Sequence, residues 1–233
     1  MSVTAELATS QENPERAIFP TGDLYSDEPP LESDLHLEQI LLFLKCLKWL
    51  WRDRNDFYAA GNLTIYYSQT QSKSKDFRGP DFFVVLGTER KARKSWVVWE
   101  EEGKYPNVIV EMLSPSTADT DREFKKKLYQ DTFRTHDYFW FDPYTLEFAG
   151  FHLVDGEYQP LPPNSQGHLF SQQLDLWLGI HQEQLRFFTA SGDLVPTPEE
   201  VADSERQQKE LAQQRADRLA AKLRELNIDP DTI

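Results

Sequence analysis

Short segments rich in β-branched and aromatic residues follow one another through the middle of the chain, at residues 63–67, 82–86, 96–99, 108–112 and 138–142. Residues of these types favour strands. A helical pattern at about 34–53 precedes these segments, and a second helix is predicted at about 116–134, between the last two. Asp34 is the expected N-cap of the first helix, and Ser116 with Asp119 is the expected capping box of the second. Strands that alternate with helices predict an α/β fold in which a mixed β-sheet is flanked by helices.

The two ends of the chain differ in composition from its centre. The N-terminal residues are polar, acidic and contain proline, which predicts a loosely ordered segment. Beyond the last predicted strand, Asp155-Gly156 lies between two apolar runs and predicts a β-hairpin. Residues 199–226 lack Gly and Pro and predict a long surface helix. The expected division is therefore an acidic segment, an α/β domain and a helical tail, at residues 1–33, 34–195 and 196–233.

The composition favours a cytoplasmic protein. A single cysteine, Cys46, excludes an intrachain disulfide, and we expect it to be a buried core residue. The N-terminus has neither the basic start nor the apolar core of a signal peptide. The most apolar stretch, 40–51, contains two lysines and is too short to span a membrane. His36, near the start of the first predicted helix, is expected to be a polar surface residue.

The net charge of −14 weighs against non-specific binding of nucleic acid, because phosphate contacts require Lys and Arg. The charge is nevertheless uneven, since residues 71–95 contain seven basic and three acidic side chains. Lys73, Lys75 and Arg78 lie at the start of this basic strip and are candidate contacts to DNA. The alternative is an ordinary solvated surface.

Two carboxylates occur where buried strands are expected. Asp81 opens the apolar run FFVVL, and Glu111 interrupts the apolar run VIVEM. A buried carboxylate is costly to ionise unless a metal, a cation or several hydrogen bonds compensate. Two of them on neighbouring strands fit a shared divalent cation, and oxygen ligands favour Mg²⁺ or Mn²⁺. The alternative is that Asp81 caps a turn and Glu111 pairs with a lysine.

The helix that follows Glu111 adds a possible cation to this site. In DREFKKKLY, Asp121, Lys125 and Tyr129 are four residues apart and therefore line one helix face. If that face looks toward the strand ends, Lys125 would orient an attacking water or stabilise charge on a phosphorane-like transition state. The alternative is a surface salt bridge between Asp121 and Lys125.

The segments GPDFFVVL, VIVEMLSPST, the DxxxKxxxY helix and YFWFDP together resemble a bacterial family of restriction-endonuclease-like proteins, abundant in photosynthetic bacteria and placed in the PD-(D/E)XK nuclease superfamily. The resemblance implies a four-stranded mixed sheet between helices, with Asp81 and Glu111 binding Mg²⁺ during phosphodiester hydrolysis. The superfamily lysine normally lies two residues after the second acidic residue, where this chain has Leu113; Lys125 is the matching helix position. An acidic residue from an N-terminal helix often joins such sites, and Glu32 and Glu38 are both candidates.

Three functions are compatible with these patterns. The first is a Mg²⁺-dependent endonuclease that acts on DNA, with a homodimer formed through the C-terminal helix. The second is a catalytically inactive nuclease-fold protein that binds or assembles with a partner through that helix. The third is a hydrolase of a small phosphodiester or nucleotide, which keeps the site but does not bind DNA.

Overall fold

The computed structural model describes residues 25–26, 31, 33–68, 77–113, 118–227 and 229–230, with the side chains of 77–78 and 118–122 excepted. Three helices lie in these ranges: α1 (Asp34–Leu50), α2 (Ala118–Leu128) and α3 (Pro198–Glu225). The same ranges contain twelve strands: β1 (Phe57–Gly61), β2 (Ile65–Tyr66), β3 (Phe77–Arg78), β4 (Phe82–Leu86), β5 (Trp96–Val97), β6 (Val108–Met112), β7 (Asp137–Phe141), β8 (Phe148–Val154), β9 (Glu157–Pro160), β10 (Leu169–Ser171), β11 (Leu176–His181) and β12 (Gln184–Phe188). A 3₁₀ turn follows β5 at Val98–Glu100, and a π-helical turn continues α2 at Tyr129–Phe133.

A six-stranded sheet in the order β1-β4-β6-β7-β8-β9 forms the centre of the molecule. Strands β6 and β7 are parallel, whereas the other neighbours in this sheet are antiparallel. Parallel neighbours need a long crossover connection, which α2 and the π-helical turn supply. The predicted mixed sheet with flanking helices is confirmed. It has six strands, two more than the four that the resemblance implies.

Apolar layers cover both faces of the central sheet. In β4, Phe82 and Val84 point to one face, and Phe83 and Val85 point to the other. The first face packs against α1 and the small sheet β10-β11-β12, while the second packs against the π-helical turn and the small sheet β3-β2-β5. Cys46 belongs to the first layer and is buried, as expected.

The N-terminus of α1 differs from the prediction by one residue. The N-cap is Ser33, whose side chain accepts a hydrogen bond from the backbone N–H of His36 at 3.3 Å. Asp34, the predicted cap, instead lies in the first turn, where its charge interacts favourably with the helix dipole. The Ser116 capping box of the second helix lies outside the described residues.

The hairpin and the C-terminal helix were both predicted correctly. Asp155 and Gly156 have φ values of +50° and +94°, as a tight turn between β8 and β9 requires. Helix α3 begins with a capping box in which Thr197 and Glu200 exchange hydrogen bonds of 2.7 and 3.2 Å. Ion pairs from Glu199 to Lys45 and from Glu200 to Arg186, both 2.7 Å, hold its first turn on the core.

The sequence analysis did not predict β1, the short strand β3 or the strands β10 to β12. Their residues include alanines, glycine and interspersed polar side chains, so the local pattern is weak. None of the helices in the described ranges is long and apolar enough to cross a membrane. The three-part division of the chain remains a prediction.

Candidate active site

The pairing of β4 with β6 places the two predicted carboxylates opposite each other. Phe82 pairs with Val110 in this antiparallel ladder, so the next position pairs Asp81 with Glu111. Directly opposite residues on one sheet face have Cβ atoms about 5 Å apart. The backbone N–H of Met112 donates a 2.7 Å hydrogen bond to Asp81 Oδ2, which fixes that carboxylate at the end of the ladder. The two acidic side chains therefore share one site.

Two donors from the helix after β6 bind Glu111, which is only 2% exposed. The Tyr129 hydroxyl donates to Glu111 Oε1 at 2.5 Å, and Lys125 Nζ donates to Oε2 at 3.1 Å. Tyr129 is fully buried, whereas the Lys125 side chain is 26% exposed. Each carboxylate oxygen has two lone pairs, so both oxygens retain the capacity to accept another ligand.

The change from α-helix to π-helix occurs at this site. Lys125 lies in the last turn of α2, and Tyr129 is the first residue of the π-helical turn. Single π-helical turns within α-helices are frequent at functional sites. The spacing of four residues brings both side chains to Glu111, which is consistent with the shared helix face proposed from the sequence. Asp121 lies on the same helix, but its side chain lies outside the described part of the structure.

The electrostatics of the site favour a bound cation. Burial and the charge of Glu111 raise the pKa of Asp81 well above its usual range, and Lys125 only partly offsets them. Burial and the charge of Glu111 also raise the pKa of Tyr129, so its hydroxyl keeps the proton that it donates. Because the charge of Glu111 disfavours the ionised form of Asp81, an added positive charge would stabilise that ionised form.

The donor set fits a magnesium or manganese ion. Asp81 and Glu111 supply carboxylate oxygens, and proteins usually bind Mg²⁺ through one or two carboxylates together with water and substrate phosphate. No cluster of three or more His, Cys, Asp or Glu side chains suited to a metal occurs among the described residues. A site with two protein carboxylates is thus compatible with Mg²⁺ and would leave coordination positions for water and a phosphate.

The N-terminal helix does not bring its predicted carboxylate to the pair. Glu38 is exposed, and among the described residues it forms no metal-binding group of three acidic side chains with Asp81 and Glu111. The neighbouring Gln39 is buried and exchanges hydrogen bonds of 2.7 and 3.0 Å with the backbone of Leu185 in β12. Glu32, the other candidate, lies outside the described residues.

The expectation that His36 lies on the surface was wrong. It is 4% exposed, and its Nε2 is 3.4 Å from the carbonyl oxygen of Leu113, two residues beyond Glu111. The start of α1 therefore contacts the end of the strand that carries the carboxylate. The sequence contains the signal, because His36 precedes Ile40, Phe43 and Leu47 at helical spacing on the buried face of α1.

The predicted nucleic-acid contacts are only partly described. Lys73 and Lys75 lie outside the described residues, and Arg78 lies in β3 with its side chain not described. Further along the basic strip, Arg93 binds Glu101 through two hydrogen bonds of 2.6 and 2.9 Å and is 5% exposed. Arg93 is therefore a structural cation rather than a surface contact.

A family of known proteins matches most of this chain. A similar solved structure is that of a putative nuclease belonging to DUF820 from Anabaena variabilis, at 13% sequence identity and a TM-score of 0.46, over 63% of this chain and 76% of that one. None of the curated proteins matches the chain. The model of the Uma2 family, described as "Putative restriction endonuclease", matches residues 4–182, which is more than half of the 233 residues. The matched range includes both carboxylates, Lys125 and Tyr129. The chain therefore belongs to the Uma2 family.

Proposed function

We propose that the protein is a divalent-metal-dependent endonuclease that hydrolyses phosphodiester bonds in DNA, with Mg²⁺ or Mn²⁺ as its cofactor. The observation that carries the proposal is the pairing of Asp81 with Glu111 across β4 and β6, with Lys125 Nζ 3.1 Å from Glu111. Membership of a family described as restriction endonucleases supports nucleic acid as the substrate. The proposal also places the enzyme in the cytoplasm, together with the DNA that it would cut.

Asp81 and Glu111 are the residues that would hold the ion. When bound, a divalent ion lowers the pKa of a coordinated water and neutralises charge on the phosphate that is attacked. Binding of the ion requires both carboxylates in their ionised form. Because the pKa of Asp81 is raised in the free site, binding of the ion should release a proton.

Lys125 and Tyr129 have different roles in this proposal. The Lys125 ammonium is partly exposed, so it can reach a phosphate oxygen or an attacking water while remaining close to Glu111. There it would stabilise the negative charge on the oxygens of the pentacoordinate phosphorus in the transition state. Tyr129 is fully buried and cannot reach substrate, so it acts as a positioning residue that holds the Glu111 carboxylate.

The direct test is cleavage of plasmid and single-stranded DNA in Mg²⁺ or Mn²⁺ by wild type, Asp81→Ala and Lys125→Ala. We expect cleavage by wild type, loss in both variants and loss on adding EDTA. Lys127→Ala is a matched control, because it removes an exposed lysine from the same helix turn. Cleavage of short model phosphodiesters without cleavage of either DNA would instead support a small-molecule hydrolase. Equal inactivity of wild type and variants on all substrates, with no Mn²⁺ binding by calorimetry, would refute a nuclease.

The exposed surface of α3 favours a second candidate function, that of a binding or assembly module. No residue of this 28-residue helix is buried, and Leu211 near its middle, Leu219 in its second half and Leu226 at its C-cap are each more than half exposed. Such an apolar stripe suits a partner helix, including that of a second copy in a homodimer.

A truncation separates this candidate from the nuclease. Deletion directly after Pro198 would also remove Glu199 and Glu200, which bind the core through Lys45 and Arg186. A stop codon after Glu205 keeps both ion pairs and removes the apolar stripe. If α3 is the interface, sedimentation analysis of this truncated chain will show a smaller assembly than that of the full chain. An unchanged assembly would exclude the interface.

A further inference from the structure

A basic groove lies along β1, next to the candidate active site. Its volume is about 510 Å³, and its walls are β1 itself, the C-terminal part of α1 and the loop at residues 90–93. Strand β1 is the terminal strand of the central sheet within the described residues, so one wall of the groove is a sheet edge. We define the basic groove by its charged lining residues, Lys48, Arg90, Lys91 and Arg93.

One end of the basic groove borders Asp81. Gly61, the last residue of β1, pairs with Phe82, and the backbone N–H of Asn62 donates a 3.1 Å hydrogen bond to the carbonyl oxygen of Asp81. At the other end, Arg90 lies over the ring of Phe57, the first residue of β1. Four residue steps separate the two ends of β1, which corresponds to about 14 Å. The basic groove therefore leads from a cationic cluster to the carboxylate pair.

All four charged residues of the basic groove are cations, in a protein whose net charge is −14. Arg93 is neutralised by Glu101, and Lys91 lies 3.5 Å from the exposed Glu89. The other two have no carboxylate partner among the described residues. Arg90 donates only to carbonyl oxygens at and beyond the end of α1, those of Trp51, Arg52 and Arg54.

Lys48 is the residue that is least explained by the fold. It projects into the basic groove from the last turn of α1 and makes no hydrogen bond or ion pair in the described part of the chain. Burial and the nearby charge of Arg90 lower the pKa of Lys48, so the fold disfavours its charged form. An anion between Lys48 and Arg90 would raise the pKa of Lys48 again, because opposite charge favours the ionised lysine.

We propose that the basic groove binds the phosphate backbone of the DNA strand that enters the active site, with Lys48 and Lys91 as phosphate contacts. This inference rests on the proposed nuclease function and extends it to the path of the substrate. The phosphate contacts are independent of sequence, since no base edge is involved.

The test measures binding without cleavage. Fluorescence anisotropy with a labelled single-stranded 20-mer is recorded in EDTA over a range of salt concentrations, in an Asp81→Asn background. The double variant Lys48→Gln/Lys91→Gln should bind more weakly than its parent. Because each lost contact to a single strand reduces the salt dependence by about 0.7, its log–log slope should be shallower by about 1.4.

A control pair removes the same charge elsewhere. Lys209→Gln/Lys222→Gln changes two exposed lysines of α3 and should leave affinity and slope unchanged. Equal weakening by both pairs would mean that only net charge matters, and it would overturn the assignment of the basic groove. DNA binding that is unaffected by the Lys48/Lys91 change, together with DNA cleavage by wild type, would overturn the assignment of the basic groove and leave the proposed function standing. Absence of both binding and cleavage in wild type would refute the two together.

Discussion

Replacing Tyr129 by Phe removes a single oxygen from the candidate active site. The phenol hydroxyl donates a 2.5 Å hydrogen bond to Glu111 Oε1, and both residues are buried. The aromatic ring, which packs against Phe133 and Tyr138 at centroid distances of 5.3 and 5.6 Å, is retained. No cavity is created, so the change isolates the contribution of the hydroxyl to the stability of the fold and to the position of Glu111.

The magnitude follows from the charge of the acceptor. A hydrogen bond to a charged group contributes about 1.5–3 kcal/mol, compared with about 1 kcal/mol for a neutral pair. We therefore expect Tyr129→Phe to lower the free energy of unfolding by about 2 kcal/mol. For a chain of this length, that corresponds to a fall in Tm of about 4–8 °C. The rate of DNA cleavage should fall while the affinity for DNA stays the same, because Tyr129 positions a ligand and does not touch substrate.

Urea unfolding of Tyr129→Phe and a matched variant, Tyr158→Phe, measures the difference. The hydroxyl of Tyr158 is also buried but donates to a neutral acceptor, the carbonyl oxygen of Thr135, at 3.0 Å. Its loss should cost about 1 kcal/mol. In a Glu111→Gln background, the effect of Tyr129→Phe should shrink to that of the control. Equal costs for the two tyrosines in the wild-type background would refute the charge-assisted hydrogen bond.

Three further outcomes follow from the same structure. Asp81→Asn should raise Tm in EDTA near neutral pH. Because the pKa of Asp81 is raised in the fold, this carboxyl stabilises the fold below its unfolded pKa of 3.8 and loses that contribution as pH rises. A gain in Tm that does not depend on pH would contradict this reasoning. Gly61→Ala should cost about 1–3 kcal/mol in urea unfolding and slow DNA cleavage, because its Cβ would collide with Ile40 and lie 3.2 Å from the carbonyl oxygen of Asp81. Glu200→Gln should cost about 1 kcal/mol in thermal unfolding, because it leaves the buried Arg186 without its carboxylate partner, and an unchanged Tm would show that the pair is not stabilising.

Some parts of the fold were predictable because local pattern and tertiary environment agree. The segments 82–86 and 108–112 were predicted with the bounds that β4 and β6 have. Strands covered on both faces are almost wholly apolar, and that is why a single carboxylate at Glu111 was conspicuous. The long helix α3 was predictable for a different reason, since 28 residues of strong helix formers carry a propensity signal that needs no packing.

Other parts depend on contacts that a local pattern does not contain. Strand β1 has the sequence FYAAG, whose alanines and glycine favour a strand only because β4 lies beside it. His36 was placed on the surface because it is polar, yet Ile40, Phe43 and Leu47 on the same helix face are apolar and buried. Likewise, the sequence indicated that Asp81 and Glu111 lie on strands, but not which residues face each other.

The pairing of the two carboxylates follows from the hydrophobic core. Slipping β4 against β6 by one residue would turn the Glu111 side chain toward α1 and move Val110 out of its layer, at a large cost in buried apolar surface. A slip of two residues would keep the faces but would break the Met112 hydrogen bond to Asp81, and in one direction it would also extend the ladder to Pro80, which has no N–H to donate. The apolar residues that stabilise the sheet thus leave one register, and that register forces two carboxylates together. Their mutual repulsion is tolerable only because Lys125 and Tyr129 are delivered to the same face by the crossover that the parallel strands require. The same crossover that completes the sheet therefore supplies the positive charge and the hydrogen bond that the proposed site for phosphodiester hydrolysis would use.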